Sequence, residues 1–143
     1  MTVVTHMAVG AAVGTITDNA AGAALLGLLS HVPLDVMPHY EFEKMWVEVA
    51  VVMGVFGAML AAGLGTSGIF WGALGATVPD IENLFWRLGV LPDERKVFPG
   101  HSPRLERFLP HGRTLGPRHA LTQVAMIAVS VAIVLVSLTS GTS

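Results

Sequence analysis

The stretch Val49–Pro79, VAVVMGVFGAMLAAGLGTSGIFWGALGATVP, contains no charged side chain. A second stretch, from Ala120 to Ser143, also contains none. An uncharged apolar stretch of about 18 or more residues is typical of a helix that crosses a lipid bilayer. The two stretches therefore predict an integral membrane protein.

The overall composition points the same way. The chain has 143 residues, of which 52% are hydrophobic and 13% are charged, and its mean hydropathy is +0.65. Soluble domains carry about 25% charged residues. A net charge of −2 gives no basic field for a nucleic acid, so we expect no nucleic-acid partner. The absence of cysteine excludes thiolate chemistry and disulfides.

Turn and helix-breaking residues divide the apolar sequence into about five helices. We expect the second helix to end where Pro33 enters and the fourth to end before Pro79, because proline removes a helical hydrogen bond. The fold class is therefore an all-α integral membrane bundle, made of two helical hairpins and a C-terminal transmembrane helix. The elements of this single domain (1–143) are a hairpin at 3–32, a hairpin at 42–78, a polar cytoplasmic loop at 80–118 and a helix at 119–138.

The distribution of positive charge predicts the orientation of the bundle. Seven of the eight Lys and Arg residues lie between Arg87 and Arg118, and the eighth is Lys44. Positively charged loops stay in the cytoplasm, so we predict a multi-pass protein of the cytoplasmic (inner) membrane with these loops inside. The ionisable residues that fall on this face are His6, His31, Asp35, His39, Asp80, Glu82, His101, His111 and His119.

The densest polar element is His31-Val-Pro-Leu-Asp35-Val-Met-Pro-His39. A histidine and a carboxylate four residues apart share one face of a helix and suit a divalent ion. Because Pro33 and Pro38 interrupt the element, we expect a helix end followed by an extended turn that still brings three ligands together. The alternative is that His31 caps the helix, while Asp35 and His39 are solvated loop residues.

A second element, Pro79-Asp80-Ile81-Glu82-Asn83, presents two carboxylates where the fourth helix ends. One carboxylate could bind a metal ion while the other acts as a general base. The alternative is an acidic N-cap for a new helix starting at Ile81.

The basic segment before the last helix contains further candidates. His101 and His111 lie on the polar loop, and His119 opens the last helix, where it could reach back into a site. Arg113 and Arg118 suit a phosphate-bearing substrate, because the guanidinium group matches phosphate oxygens. The alternative is that the arginines only bind anionic headgroups and fix the orientation of the protein.

These motifs resemble a family of small integral-membrane proteins known as membrane-bound metal-dependent hydrolases. That family shows Thr-His in its first helix, a helix ending Pro-Asp-Ile/Leu-Asp, and His-Arg-Gly-x-Thr-His-Ser before another apolar helix. The matching parts here are Thr5-His6, Pro79-Asp80-Ile81-Glu82, and the split pair His111-Gly112-Arg113 and Arg118-His119-Ala120. The resemblance implies His6, Asp80 and Glu82 as site residues, with His111 and His119 matching the paired histidines. Glu82 stands where the family has Asp, and the histidine block is interrupted.

Together these observations predict a membrane-embedded metal-dependent hydrolase that acts on a lipid or phosphoester. The site would hold one or two divalent ions, Zn with Mn or Fe as alternatives. The competing hypothesis is a non-enzymatic module that docks a partner protein or anionic lipid through its polar face; a homo-oligomer is compatible with both. The predicted metal ligands are His6, His31, Asp35, His39, Asp80 and His119; the catalytic residues are Glu82 and His111; and the substrate-binding residues are Arg113, Arg118 and His101.

Overall fold

The computed structural model describes residues 1–41, 44–104, 108, 112 and 120–141. Within these ranges the chain forms five α-helices and no β-strand, which confirms the all-α class. Two short 3-10 turns connect them, at Leu64–Thr66 and Asp93–Arg95. The helices are α1 (Val3–Gly14), α2 (Ala20–Val36), α3 (Met45–Ala61), α4 (Gly68–Arg87) and α5 (Ala120–Ser140).

Two helices continue through the prolines that were expected to end them. α2 passes Pro33 and ends at Val36, and α4 passes Pro79 and ends at Arg87. The boundaries at 32 and 78 were therefore too early, and the first residues of the predicted 80–118 loop are helical. Proline costs one helical hydrogen bond, but burial of the residues that follow it, such as Asp35, stabilises the extra turn through tertiary contacts.

The bundle is built on α1, α2 and α4, which contact one another, while α5 packs against α1. The three central helices approach closely because glycine removes the side chains between them. A Cβ on Gly72 of α4 would collide with the backbone carbonyl of Gly10 and would lie 2.8 Å from the Cα of Gly14, both in α1. Small residues at such crossings are typical of helices packed in membranes.

A buried amide fastens α5 to the rest of the bundle. The Gln123 side-chain carbonyl accepts hydrogen bonds from the Thr2 backbone N–H (3.2 Å), the Thr2 hydroxyl (3.0 Å) and the Thr5 hydroxyl (3.1 Å). Its amide nitrogen donates to the Tyr40 carbonyl at 2.9 Å. Since Gln123 is 4% exposed, these contacts satisfy an amide that would be costly to bury alone.

The distribution of side chains is inverted relative to a water-soluble domain, in which charged and polar groups are mostly exposed. The largest fully buried side chains in the described part of the chain are His6, His31, His39, Thr5 and Asp35. α3 buries no residue, and α5 buries only Gln123 and Ser130 among its described residues. The outer surface of these helices is apolar instead.

One described helix is long and apolar enough to cross a membrane. α5 has 21 residues and a mean hydropathy of 2.4, with 11% of its apolar window buried within the protein. α1, α2 and α3 are apolar but shorter, at 12, 17 and 17 residues. These lengths give a first, coarse sign of membrane association.

Candidate metal centre

Five ionisable side chains meet at one end of the central helices, and we call them the His/Asp cluster. His6 lies in the first turns of α1, whereas His31 and Asp35 lie near the end of α2. Asp80 follows Pro79 within α4, and His101 lies in the loop after α4. Three helices and one loop therefore supply the cluster.

The Asp35 carboxylate is the centre of the cluster. His6 Nε2 lies 3.2 Å from Asp35 Oδ1, and His31 Nε2 and His101 Nε2 lie 3.2 and 3.0 Å from Asp35 Oδ2. The Asp35 side chain is 1% exposed. A buried carboxylate needs a cation or several hydrogen bonds to offset its lost hydration, and here three imidazoles point at it.

Asp80 completes the cluster from the side of α4. Its Oδ1 atom lies 3.8 Å from His31 Nε2 and 4.0 Å from His101 Nε2. Its Oδ2 atom is buried and has no hydrogen-bond partner within the part of the chain that the structure describes. Asp80 thus brings a second carboxylate to the same imidazoles and keeps one oxygen available.

The hydrogen bond of His31 determines which ring nitrogen faces the carboxylates. Its Nδ1 atom lies 2.7 Å from the Ala76 carbonyl. Because a carbonyl only accepts hydrogen bonds, Nδ1 carries the proton in the neutral ring and Nε2 presents a lone pair. A lone pair facing a carboxylate 3.2 Å away is repulsive unless a proton or metal ion lies between them. A backbone carbonyl on the far nitrogen is also the usual partner of a metal-binding histidine.

The stacking of two imidazoles disfavours protonation of both rings at once. The His6 and His31 rings are 3.7 Å apart between centroids and 10° from parallel. Two stacked imidazolium ions would repel each other at that distance. Both His6 ring nitrogens also lack a hydrogen-bond partner among the described residues, which is costly for a fully buried ring. A neutral imidazole is the form that binds a metal ion.

The spacing of the ligand atoms fits one small divalent ion. Zn–N and Zn–O bonds of about 2.0–2.1 Å in a tetrahedron place ligand atoms about 3.3 Å apart, close to the 3.0–3.2 Å separations of the imidazoles from Asp35, while Asp80 Oδ1 lies farther from His31 and His101, at 3.8 and 4.0 Å. Two sets of three residues bring their ligand atoms within 4.8 Å of one another. The His/Asp cluster could therefore hold a metal ion. The sets are His6, His31 and Asp35, and His31, Asp80 and His101.

Glu82 lies beneath the loop that carries His101. Its Oε1 atom accepts a hydrogen bond from the Val97 N–H, and its Oε2 atom accepts one from the Phe98 N–H, both at 3.0 Å. Asn83 Nδ2 lies 3.1 Å from His101 Nε2. Glu82 and Asn83, the last two residues of the polar element, therefore fix the loop and the imidazole, and neither belongs to the two ligand sets.

The same loop approaches Asp35 through a glycine. A Cβ added to Gly100 would lie 2.6 Å from Asp35 Oδ2, which is closer than a carbon and an oxygen can pack. Gly100 therefore permits His101 to reach the carboxylate. A substitution at this position would push the loop away from the cluster.

His39 lies apart from the ligand sets. It is fully buried, but its Nδ1 atom bonds the Met37 carbonyl at 2.7 Å and its Nε2 atom lies 3.1 Å from Glu41 Oε1. Glu41 also pairs with Arg87, with Nη2 and Oε2 3.3 Å apart. The extended turn after α2 thus directs His39 into an ion-pair network and away from Asp35.

The N-terminal amino group is a further neighbour of the cluster. The Met1 nitrogen lies 3.9 Å from Asp35 Oδ1. Burial lowers the pKa of this amino group below its usual value, while the negative charge of Asp35 opposes that change. The amino group is thus weakened as a counter-ion, and the imidazoles at 3.0–3.2 Å are closer partners.

A polar pocket of about 300 Å³ opens beside the cluster. His101, Asn83, Arg87 and Lys96 are among the residues that line it. His101 is the imidazole of the cluster that the pocket reaches. The pocket provides a route by which a polar group can reach His101.

Sequence reasoning identified four cluster residues as ligands: His6, His31, Asp35 and Asp80. His101 was assigned to the substrate, and the structure places it among the ligand groups. The contacts of Asn83 and Gln123 were missed, although a lone amide in an apolar helix is a signal of a buried partner. Four predicted residues lie outside the described part of the chain: His111, Arg113, Arg118 and His119.

Comparison with protein-family models, curated proteins and solved structures finds no match for this chain.

Proposed function

We propose that this protein is a membrane-embedded, metal-dependent hydrolase that acts on a lipid or phosphoester at the cytoplasmic face of the inner membrane. The observation that carries the proposal is the convergence of three imidazole Nε2 atoms on the buried Asp35 carboxylate. Thr5-His6 and Pro79-Asp80, which resemble motifs of membrane-bound metal-dependent hydrolases, lie at this convergence and support it.

The membrane location is supported by the inverted distribution of side chains. α3 buries none of its residues, and α5 exposes large apolar side chains such as Leu121 and Leu135. Exposing these surfaces to water would be costly, whereas lipid accommodates them. Arg87, Lys96 and the other basic residues of 87–118 would keep the cluster end of the bundle in the cytoplasm.

Zinc is the metal we propose, held by the ligand set His6, His31 and Asp35, with the His101 imidazole against Asp35 Oδ2. The set of neutral imidazoles and one carboxylate suits zinc, with Mn or Fe as alternatives. A bound divalent ion would polarise a carbonyl or phosphoryl oxygen and lower the pKa of water. The Ala76 carbonyl would hold the His31 ring in the required tautomer through Nδ1.

We propose that Asp80 is the general base and acid of the reaction. Its buried Oδ2 atom has no hydrogen-bond partner within the described ranges, so it can accept the proton of the attacking water and return it to the leaving group. The sequence suggested Glu82 for this role. Because the Glu82 carboxylate accepts hydrogen bonds from Val97 and Phe98, we instead propose that it positions the His101 loop.

The proposal is tested by assaying the metal-loaded protein in lipid nanodiscs against phosphoester and carboxyl-ester lipids. We expect hydrolysis of at least one class, and a loss of about 10²–10⁴ in rate for Asp80→Asn with its metal retained. Asp93→Asn is the matched control, because Asp93 pairs with Lys96 at the rim of the polar pocket. Metal-loaded protein that cleaves no substrate of either class would contradict the hydrolase and favour the docking module.

A further inference from the structure

An apolar cleft lies between α3 and α4 and reaches the His/Asp cluster. It has a volume of about 300 Å³ and is lined along α3 from Met45 to Phe56 and along α4 from Leu74 to Arg87. Asp80, whose Oδ1 atom faces His31 and His101, is part of its wall. The cleft and the polar pocket are distinct cavities with only Arg87 in common, and each is lined by one cluster residue, Asp80 in the cleft and His101 in the pocket.

The chemistry of the cleft changes along its length. The Val3 N–H donates to Glu48 Oε1 at 2.6 Å, which places the start of α3 beside the start of α1 and hence at the cluster end of the bundle. The ionisable residues of the wall, Glu48, Asp80 and Arg87, belong to this end. Beyond them the wall is formed by Val52, Met53, Phe56 and Leu74.

The cleft therefore has the polarity of an amphiphile with one long chain. Along α3 the wall extends from Met45 to Phe56, about 16 Å at 1.5 Å per residue, and its apolar part beyond Glu48 covers about 10 Å. Ligand sites with an apolar wall and few polar groups orient an apolar ligand by those groups. Here the polar groups are gathered at one end and next to the cluster.

Arg87 connects the cleft with the polar pocket, because it lines both cavities. Its guanidinium pairs with Glu41 through Nη2, which leaves other N–H donors of the group for a ligand. A guanidinium fork matches the oxygens of a phosphate group. The Arg87 guanidinium thus offers a cationic contact for a phosphoester headgroup, next to the Glu48 and Asp80 carboxylates of the cleft wall.

We infer that the cleft between α3 and α4 binds the hydrocarbon chain of a single-chain phosphoester amphiphile, and that Arg87 holds its headgroup beside Asp80. This inference rests on the proposed hydrolase and specifies its substrate class. Chain binding requires no metal, so the two claims can fail separately.

The test uses photoaffinity labelling of the full chain in lipid nanodiscs, with a long-chain alkyl phosphate that carries a diazirine at mid-chain. We expect the label on cleft residues of α3 and α4, such as Val52 and Leu74, in both metal-loaded and chelator-treated protein. Val52→Trp should lower this labelling about tenfold, because the indole fills the space of several methylenes. Val51→Trp is the matched control: Val51 is the adjacent residue of α3, is 40% exposed, and does not line the cleft.

Equal labelling of Val52→Trp and Val51→Trp would overturn the inference, as would a label spread over the exposed face of α5 in the manner of bulk lipid. If the cleft is labelled but the protein hydrolyses no substrate, the binding site is supported and the proposed hydrolase is contradicted. Hydrolysis of short- and long-chain phosphoesters at equal rates by both variants would leave the hydrolase and remove the cleft as its chain-binding site.

Discussion

The two ends of the central helices are packed with different kinds of residue. At one end, α1, α2 and α4 meet through residues that have almost no side chain, as at Gly72 and Gly10. At the other end, the same helices meet through His6, His31 and Asp35, which are fully buried and ionisable. The first end is stabilised by close packing, whereas the second buries carboxylates that require a cation or several hydrogen bonds to offset their lost hydration.

This difference separates two kinds of failure. Adding atoms to the glycine end should disrupt folding and leave the chemistry of each ligand unchanged. Removing a ligand or the ion at the histidine end should change metal binding first, and stability only as far as the ion contributes to it. The predictions that follow probe this distinction.

The largest expected effect is at the glycine end. Gly72→Ala would place a methyl group against the backbone of α1, and we expect it to destabilise the protein by about 3 kcal/mol. Gly54→Ala is the control, because a Cβ at Gly54 of α3 meets no atom within 4 Å and alanine favours the helix by about 1 kcal/mol. Thermal unfolding in detergent measures the stability of both variants. Equal stability would contradict the close approach of α4 to α1 at Gly72.

The second effect is the loss of the ion. Chelation should lower the free energy of unfolding by about 2.7 kcal/mol if the free metal stands at 100 times its dissociation constant, since the ion binds only the folded cluster. Unfolding with and without chelator measures it, and Asp35→Ala should show no further change on chelation. If the chelator leaves the stability of the parent protein unchanged, the imidazoles need no metal ion.

Gln123 tests the attachment of α5 beside the cluster. Gln123→Ala removes an acceptor shared by Thr2 and Thr5 and should cost about 2 kcal/mol, because buried polar groups lose their partner. Val124→Ala, at a neighbouring position that is 60% exposed, should be nearly neutral in the same unfolding assay. Similar losses in both variants would mean that α5 is held by apolar contact instead of the amide.

The smallest effect is expected at Glu82. If Glu82 positions the His101 loop through Val97 and Phe98, Glu82→Ala should weaken metal binding about tenfold, the usual order of outer-shell changes. Glu94→Ala, at an exposed position of the same loop, is the control in a metal titration. If Glu82→Ala binds the metal with unchanged affinity but no longer hydrolyses substrate, Glu82 is the general base and not a positioning residue.

Local patterns in the sequence predicted what depends on local geometry. The all-α class followed from uncharged apolar stretches. His31 and Asp35 were expected to meet across a helix end and an extended turn, whereas α2 carries both of them within the helix. The helix ends at Pro33 and Pro79 were wrong, because tertiary burial compensates for the lost hydrogen bond. The membrane span of the shorter helices and the identity of the metal stay predictions.

The residues whose role depends on long-range contacts were harder to place. His39 has the spacing of a ligand, yet Glu41 and the Met37 carbonyl take both of its ring nitrogens. His101 reaches Asp35 only because Gly100 allows the loop to approach. A single sequence contains no signal for either arrangement, since both depend on how a loop folds back on the helices.

The central claim is that the histidine end holds a metal ion, and elemental mass spectrometry of the detergent-purified protein tests it most directly. The account predicts about one or two equivalents of a divalent metal in the parent. It predicts the same in Asp18→Ala, at an exposed turn, and almost none in Asp35→Ala. Metal-free parent protein after purification in added zinc or manganese, or equal metal in Asp35→Ala, would contradict it.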